Sequence, residues 1–307
     1  MSLVLVTGSS GFVGTGLLPR LLRDGHEIRP NARRSGGLEL GPDTDWSRVL
    51  DGVDAVIHLA ARVHVTREHA ADPLAAFRRA NAAGTAQLAA QAETAGVRRF
   101  VLVSSVKAAA ETSSGRKLVE ANPAAPRTPY GISKREGELA LLAEARRMET
   151  VILRPPLVYG PGVGANFRAL LRLVASGLPL PLGSVRNARS LIARDNLVDA
   201  IAVGLSAPGV AGGTYYVAEG EPLSTPDLVR ALAAALGRPA RLLGFPVGAL
   251  TIAGRLVGRS DEAESLLGSL EVDASAFRAA ASWSPPVRQD VAFRDVAEWF
   301  KMARARG

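Results

Sequence analysis

The sequence predicts an α/β fold built on a parallel sheet with helices on both faces. Short apolar runs rich in β-branched residues, the first at Leu3–Thr7, alternate through the first half with segments of helical periodicity. Strands that are apolar throughout and separated by helices are typical of a parallel sheet covered on both sides. A chain of 307 residues, of which 47% are apolar, is long enough for one such sheet and a smaller lobe.

The elements can be assigned in chain order from these patterns. Strands are predicted at Leu3–Thr7, Glu27–Ala32, Ala55–Leu59, Phe100–Ser104 and Thr150–Leu153. Helices are predicted at Phe12–Arg23, Asp72–Ala95 and Pro129–Arg147. The later pattern is looser, with helices predicted at Asn166–Ser176, Asn196–Leu205 and Thr225–Leu236 and a strand at Thr214–Val217. We therefore expect a first domain over residues 1–160 and a smaller lobe over 161–307, some of whose segments return to the main sheet.

Composition and charge exclude several classes of protein. The chain has no cysteine, so disulfides, thiolate metal sites and a cysteine nucleophile are excluded. Its four histidines lack the spacing of a metal-binding helix, and we expect no metal. The formal charge of +8 comes from scattered arginines, not from a dense basic run. This pattern argues against a nucleic-acid partner and suits an anionic substrate.

Two segments bear on where the protein acts. Gly8 follows the first strand at once, leaving no room for the basic and apolar regions of a secretion signal. The apolar stretch Pro246–Gly258 is interrupted by Arg255 and is too short to span a bilayer. We therefore expect a cytoplasmic protein without a membrane partner.

A glycine-rich loop follows the first strand. Gly8 allows a tight turn, Gly11 lets the backbone approach a pyrophosphate at the helix N-terminus, and Gly14 lets that helix pack on the strand. At the first strand of a βαβ pattern, this loop predicts a Rossmann-type doubly wound sheet that binds a dinucleotide. The residues predicted to hold the cofactor here are Gly8, Ser10, Gly11, Phe12, Val13 and Gly14.

The end of the second strand bears on which dinucleotide is bound. NAD enzymes usually place an acid there for the ribose diol, whereas this chain has Asn31-Ala32-Arg33-Arg34. A guanidinium such as that of Arg33 could hold a 2′-phosphate, which favours NADP(H) over NAD. Both cofactors stay open, because the two arginines could also be ordinary solvated loop residues.

Tyr130 and Lys134 form a candidate catalytic pair at the start of a helix. Thr128 is a suitable N-cap and Pro129 a suitable first-turn residue. Residues four apart share a helix face, and a neighbouring ammonium would lower the pKa of a phenol toward the working range. Taken alone, the pair could also be a coincidence of surface residues.

Together, three motifs carry a resemblance to a known family. They are the glycine loop, Ser104-Ser105 at the end of a strand, and Tyr-x-x-x-Lys about 25 residues later. The chain resembles the extended short-chain dehydrogenase/reductase superfamily and, within it, the nucleotide-sugar epimerase/dehydratase family, over nearly its whole length. The resemblance implies that Ser105 hydrogen-bonds the reacting sugar oxygen, that Tyr130 moves its proton, and that Lys134 also holds the nicotinamide ribose.

The same resemblance implies further contacts. Those to the cofactor are made by Ala60 and Ala61 on the adenine side, Asn81 near the pyrophosphate and Pro155 near the nicotinamide. The lobe at 161–307 would be the substrate-binding lobe, with Asn166 and Arg189 contacting the nucleotide diphosphate, and a homodimer would form through Asp72–Ala95 and Pro129–Arg147. The chain departs from the family at Leu266–Ser269, where a second phosphate-binding arginine is expected and absent.

The residues after Ser105 limit the reaction. Family members that eliminate water carry an Asp-Glu pair there, but this chain has Val106-Lys107, which disfavours a dehydratase. Two reactions at sugar C4 remain, reduction of a UDP-4-keto sugar and 4-epimerisation with bound NAD. The stretches His58–Val65 and Ser104–Lys107 resemble bacterial enzymes that reduce UDP-4-keto-6-deoxy-N-acetylhexosamines, which favours the reductase. His64 is either a substrate contact or a packing residue.

Two rival functions use the same scaffold. A reductase of a steroid, flavonoid or other carbonyl would have no use for a diphosphate clamp at Asn166 and Arg189. A redox-sensing binding protein would typically have lost the Tyr/Lys pair, which this chain retains together with Ser105.

Overall fold

The structure is a computed structural model that describes residues 1–63, 72–113, 115–256, 258 and 260–305. Its strands are β1 (Leu3–Thr7), β2 (Glu27–Asn31), β3 (Ala55–His58), β4 (Arg99–Val103), β5 (Glu149–Arg154), β6 (Leu157–Tyr159), β7 (Arg189–Ala193), β8 (Thr214–Tyr216) and β9 (Glu219–Leu223). Six of these form one parallel sheet in the order β2-β1-β3-β4-β5-β8. The predicted parallel α/β architecture is confirmed.

The helices of the described residues are α1 (Gly14–Arg23), α2 (Ser47–Leu50), α3 (Pro73–Arg78), α4 (Gly84–Thr94), α5 (Pro129–Glu144), α6 (Ala165–Ser176), α7 (Arg194–Ser206), α8 (Thr225–Leu236), α9 (Val247–Leu256), α10 (Ser260–Leu267), α11 (Ser275–Ala281) and α12 (Gln289–Ala305). The long helix predicted at Asp72–Ala95 is interrupted by a π-helical turn at Arg79–Ala83, between α3 and α4. None of these helices is long and apolar enough to cross a membrane.

Helices cover both faces of the main sheet. On one face, Leu17 of α1 and Ile201 of α7 are fully buried in a cluster with the sheet. On the other face, Leu88 of α4 and Leu141 of α5 are buried in a second cluster. The sheet is therefore doubly wound, as the sequence predicts.

A second, three-stranded sheet forms the centre of the C-terminal half. Its order is β6-β7-β9, with β6 parallel and β9 antiparallel to β7. Helices α6, α8 and α12 pack beside it around a core that includes Phe167, Leu232 and Phe293. The sequence reading missed all three strands, because they are short and β9 contains Gly220 and Pro222. The late strand β8 joins the main sheet instead.

The strand order of the main sheet reverses at β1, which pairs with β2 on one side and β3 on the other. The chain therefore leaves the adjacent carboxyl ends of β1 and β3 in opposite directions. Open α/β sheets bind ligands in the crevice that forms at such a point. The loops after β1 and β3 touch closely, since a Cβ added at Gly8 would lie 2.7 Å from the Ala60 nitrogen. Only glycine fits at position 8, where φ is also +70°.

Helix α5 is tied to the sheet by a buried carboxylate. Glu138 accepts bonds from the Ser104 hydroxyl at 2.6 Å and from the Arg154 guanidinium at 2.8 and 2.6 Å. Burial opposes its ionisation, but the ion pair with Arg154 holds the pKa of Glu138 below its usual range. This network joins α5, the end of β4 and β5, and so fixes the helix that carries Tyr130.

Replacing Glu138 with glutamine should destabilise the fold strongly, because Arg154 would keep a buried charge without its ionic partner. We expect Glu138→Gln to lower the free energy of unfolding by roughly 3–5 kcal/mol, measured by urea denaturation. Glu136→Gln, two residues earlier in an exposed ion pair with Arg78, should cost under about 1 kcal/mol. Equal losses for the two variants would contradict the anchoring role of Glu138.

Candidate active site

The start of α5 is fixed by hydrogen bonds around Thr128. As expected for an N-cap, the Thr128 hydroxyl accepts the Gly131 amide at 3.1 Å, and Pro129 occupies the first turn. The sequence reading missed Glu111, whose carboxylate accepts the amides of Arg127 and Thr128 at 3.0 and 2.9 Å. These bonds set the position from which Tyr130 projects.

Ser105 and Tyr130 meet beyond the end of β4. Their side chains share a hydrogen bond, and the Ser105 hydroxyl also accepts the Lys107 amide at 3.2 Å. Burial raises the pKa of Tyr130, and the bond with Ser105 offsets part of that rise. The Lys134 ammonium donates to the Val103 carbonyl at 2.9 Å, and its expected effect on the pKa of Tyr130 stays a prediction.

Lys134 is a buried cation one helical turn from Tyr130. Burial lowers its pKa to about 8, although the negative charge of Glu138 opposes the shift. The ammonium is therefore mainly charged at neutral pH and close enough to its pKa to respond to a ligand.

His58 links three elements beneath the site. Its Nδ1 lies 2.6 Å from the Thr7 hydroxyl and its Nε2 lies 3.1 Å from the Thr85 hydroxyl. Burial lowers the pKa of His58 to about 3, and the positive charge of Lys134 adds to the effect. The imidazole is therefore neutral and structural at physiological pH, holding β1, β3 and α4 together.

Asn81 lies in the π-helical turn and holds the loop that follows β3. Its side chain bonds the Arg62 amide at 2.7 Å and the Arg62 carbonyl at 3.0 Å. It also donates to the Ser133 hydroxyl at 3.0 Å. The structure therefore gives Asn81 a positioning contact, because it orients the loop of Ala60 and Ala61 against α5.

The glycine loop forms a cradle suited to a dinucleotide. A Cβ at Gly14 would lie 2.5 Å from the Ser9 carbonyl, so α1 packs against the loop as predicted. Ser10 and Gly11 are exposed, and Phe12 and Val13 lead directly into α1. Amides at the start of a helix point outward and favour an anion. These residues fit a pyrophosphate.

At the end of β2, two of the residues that could select between NAD and NADP(H) already have partners within the protein. Asn31 is buried, and its side chain bonds the backbone of Leu38 at 2.8 and 3.1 Å. The exposed Arg33 guanidinium forms an ion pair with Glu39 at 3.0 Å. A 2′-phosphate would therefore have to compete with a carboxylate for Arg33.

Arg189 lines a cleft together with Lys107, two residues after Ser105, and Thr128, two residues before Tyr130. The other residues lining the cleft are Glu111, Glu264 and Ser265. Arg189 begins β7, and its guanidinium donates to the Gly268 carbonyl at 2.9 Å. Burial lowers its pKa, against the opposing charge of Glu264. Gly268 belongs to Leu266–Ser269, the segment in which the family's second phosphate-binding arginine is expected and absent. Arg189 therefore contacts the backbone of that segment.

The remaining predicted residues lie at different depths. Pro155 is buried just after β5, and its carbonyl accepts the Val106 amide at 2.9 Å, close to Ser105. Asn166 is exposed in the first turn of α6. His64 lies outside the described residues.

The sequence reading overlooked the residues that hold the site together, chiefly Glu138 and Arg154. The spacing of Glu138 could have indicated its role. Glu138 follows Lys134 by four positions, as Lys134 follows Tyr130, so the three side chains share one helix face. Arg154 is the last residue of a strand that is otherwise apolar after Thr150, and its buried position marks it as paired.

The main sheet is doubly wound and has a glycine cradle at its switch point, beside the cluster of Ser105, Tyr130 and Lys134. This combination is typical of a nicotinamide-dependent oxidoreductase. A sequence profile of the NAD dependent epimerase/dehydratase family matches residues 4–218. The chain belongs to this family, as the sequence motifs predict, and it is an NAD-dependent enzyme.

Individual relatives agree with this assignment. A UDP-glucose 4-epimerase of Vibrio cholerae is 40% identical, over 99% of this chain and 97% of its own length. One from Mycolicibacterium smegmatis is 31% identical, covering 76% and 83%. The structure of a Thermus thermophilus UDP-glucose 4-epimerase with NAD superposes with a TM-score of 0.76 at 23% identity, covering 98% of this chain and 99% of its own.

The neutral state of His58 should make the fold sensitive to acid. The unfolded chain takes up a proton on this residue near its ordinary pKa of 6.5, whereas the folded chain does so only near 3. The stability that depends on neutral His58 is therefore fully present above pH 6.5 and is lost as the pH falls toward 3.

We expect His58→Gln to flatten this part of the profile of unfolding free energy against pH, measured by urea denaturation. The same slope in the variant and the parent protein would contradict the assignment.

Proposed function

We propose that this protein is a 4-epimerase of a UDP-hexose, acting by oxidation and re-reduction at sugar C4. The main support is the Vibrio cholerae UDP-glucose 4-epimerase, which resembles this chain at 40% identity over almost the full length of both. The cleft that contains Arg189 is lined by polar and charged groups of both signs, Lys107 and Arg189 with Glu111 and Glu264. Such a lining favours a polar, hydrogen-bonding substrate such as a nucleotide sugar over a steroid or another apolar carbonyl compound.

The proposed mechanism uses three side chains at the sugar O4. Tyr130 accepts the hydroxyl proton as C4 is oxidised and returns it when C4 is reduced. Ser105 bonds the same oxygen, and the charge of Lys134 favours the ionised phenol against the burial that raises its pKa. When bound, NAD would accept the hydride from C4 and return it. Inversion requires the sugar to turn while Arg189 holds the diphosphate.

A second candidate is reduction of a UDP-4-keto sugar. It is favoured by the absence of an acid after β2 and by the Val106-Lys107 pair next to Ser105. A dehydratase is disfavoured, because Val106 is buried and cannot protonate a leaving hydroxyl.

Mass spectrometry of the dinucleotide released from denatured purified protein distinguishes the two reactions. NAD retained at near-unit occupancy supports the epimerase, which must keep its cofactor through the cycle. An empty protein that binds NADPH reversibly would contradict the epimerase and favour the reductase.

Tyr130→Phe should reduce turnover by about 10²–10⁴-fold, because the proton of the sugar hydroxyl loses its acceptor. Binding of the dinucleotide, measured by calorimetry, should change little. Tyr215→Phe, which removes a partly exposed hydroxyl from β8, should keep turnover near that of the parent protein. Undiminished turnover in Tyr130→Phe would remove this residue from the mechanism.

Arg189→Ala should raise the KM for the nucleotide sugar by at least about tenfold, since a charge-assisted contact is lost. The affinity for the dinucleotide should stay within about twofold. Arg186→Ala, which removes an exposed arginine from the segment before β7, provides the matched control. Equal losses for substrate and cofactor would place the diphosphate elsewhere.

NADP(H) as the preferred cofactor rests on the guanidinium groups of Arg33 and Arg34. If they hold a 2′-phosphate, replacing both with alanine should weaken NADPH binding far more than NADH binding, by about tenfold or more. The Arg33–Glu39 ion pair favours the opposite outcome, in which NAD is the cofactor and both affinities change alike. Fluorescence titration of each dinucleotide measures the difference.

We also propose a homodimer through α5 and the helices α3 and α4. Leu139 and Leu142 of α5 are 48% and 43% exposed and lie three positions apart, so they form an apolar patch on one helix face. Leu139→Glu should convert a dimer to a monomer in light scattering.

A further inference from the structure

Two segments of the C-terminal half contain arginines but no acidic residue. From Thr150 to Arg194 there are six arginines and no Asp or Glu. The segment 237–256 has three arginines, Arg238, Arg241 and Arg255, and again no acid. These stretches contrast with the rest of the chain, where the remaining 28 basic residues (37 − 9) are accompanied by all 29 acidic ones.

The fold brings parts of these two segments together. The Leu180 amide donates to the Arg241 carbonyl at 2.8 Å, and the Leu243 amide donates back to Leu180 at 2.9 Å. Gly183 adds a third bond, to the Leu243 carbonyl at 2.8 Å. A Cβ at Gly177 would lie 3.8 Å from the Arg238 guanidinium. Residues 177–183 and 237–256 therefore form one surface, which we call the basic-apolar face.

Large apolar side chains on this face point to solvent. The exposed fractions are 64% for Leu178, 56% for Leu243, 44% for Phe245, 59% for Ile252 and 82% for Leu256. A group of this size is unusual on a protein that meets only water and marks a surface of interaction.

Helix α9 shows how the face is built. Val247 and Leu250 pack against the core beside the small sheet. Ile252, Arg255 and Leu256 lie on another side of the helix, three and four positions apart, and all three are exposed. The helix therefore presents apolar groups and a cation together on the side away from its own core.

We propose that the basic-apolar face binds the surface of an anionic membrane. A helix with apolar residues and arginines on its outer side lies in the interface between lipid headgroups and acyl chains. Each arginine near such a surface adds to the attraction of anionic lipid. The proposed contact is with the bilayer surface, since none of the described helices is long and apolar enough to cross a membrane, and it differs from the sequence expectation of no membrane partner.

Other occupants fit these features less well. Nucleic acid would match Arg238, Arg241 and Arg255 but gives no reason to expose Ile252 and Leu256. A second copy using the same face would bring like charges together. Two carboxylates of the same half are engaged elsewhere, since Asp227 pairs with Arg230 and Glu264 with Arg127.

Co-sedimentation of the full protein with vesicles tests the proposal. We expect binding to phosphatidylglycerol/phosphatidylcholine vesicles, weaker binding at high salt, and little binding to pure phosphatidylcholine. Arg238→Glu with Arg241→Glu should reduce the partition coefficient at least about tenfold. The control pair Arg48→Glu with Arg146→Glu makes the same change in net charge on exposed residues of the main-sheet domain and should reduce binding less than about threefold.

The apolar contribution needs its own variant. Ile252→Ser with Leu256→Ser should also reduce binding at least about tenfold, without changing the charge. Unchanged circular dichroism and turnover of a soluble nucleotide sugar would show that each variant is folded.

Three results would overturn the proposal. The first is that the protein does not bind anionic vesicles. The second is that the Arg48/Arg146 control loses as much binding as the Arg238/Arg241 variant. The third is that the protein binds heparin but not vesicles, and that the Ile252/Leu256 variant binds heparin equally well. A change of oligomeric state in the Ile252/Leu256 variant would instead assign the face to a second copy.

Discussion

The buried ion pair between Glu138 and Arg154 is the contact on which the active site depends. Glu138 belongs to the helix that carries Tyr130 and Lys134, while Arg154 ends β5. Glu138 also accepts a hydrogen bond from the Ser104 hydroxyl, and Ser104 precedes Ser105 at the end of β4. One carboxylate thus fixes the distance between the helix and the strand end that supply the three proposed catalytic side chains. Such a pair is costly to bury, and its value here lies in positioning.

Burial around this pair also sets the protonation of the site. The pKa of Tyr130 is raised and that of Lys134 is lowered to about 8, because both groups are withdrawn from water. Neutral His58 lies beneath them and adds no charge. A reacting sugar oxygen would therefore meet a phenol whose ionisation depends on Ser105, Lys134 and the bound ligands. This dependence couples proton transfer to substrate binding.

Much of the fold could be predicted from the sequence, because apolar runs and glycines report directly on strands and turns. The bounds of β1 and α8 were predicted to the residue, as was the start of α5 at Pro129. The small sheet was missed, since β7 and β9 pair across many intervening residues and lack a local pattern.

The site shows the same division. Ser105 and Tyr130 could be brought together from their motifs, whereas the contact of Arg189 with the Gly268 carbonyl depends on tertiary packing. The bond of the Lys134 ammonium to the Val103 carbonyl likewise depends on tertiary packing and follows from no sequence motif.

We propose that Ser105, Tyr130 and Lys134 perform reversible oxidation at sugar C4 with one retained cofactor. Nuclear magnetic resonance of UDP-glucose labelled with deuterium at C4 tests it most directly. We expect UDP-galactose that keeps the deuterium at C4, because the hydride returns to the carbon it left. No inversion at C4 by protein that holds its dinucleotide, or loss of the label, would contradict it.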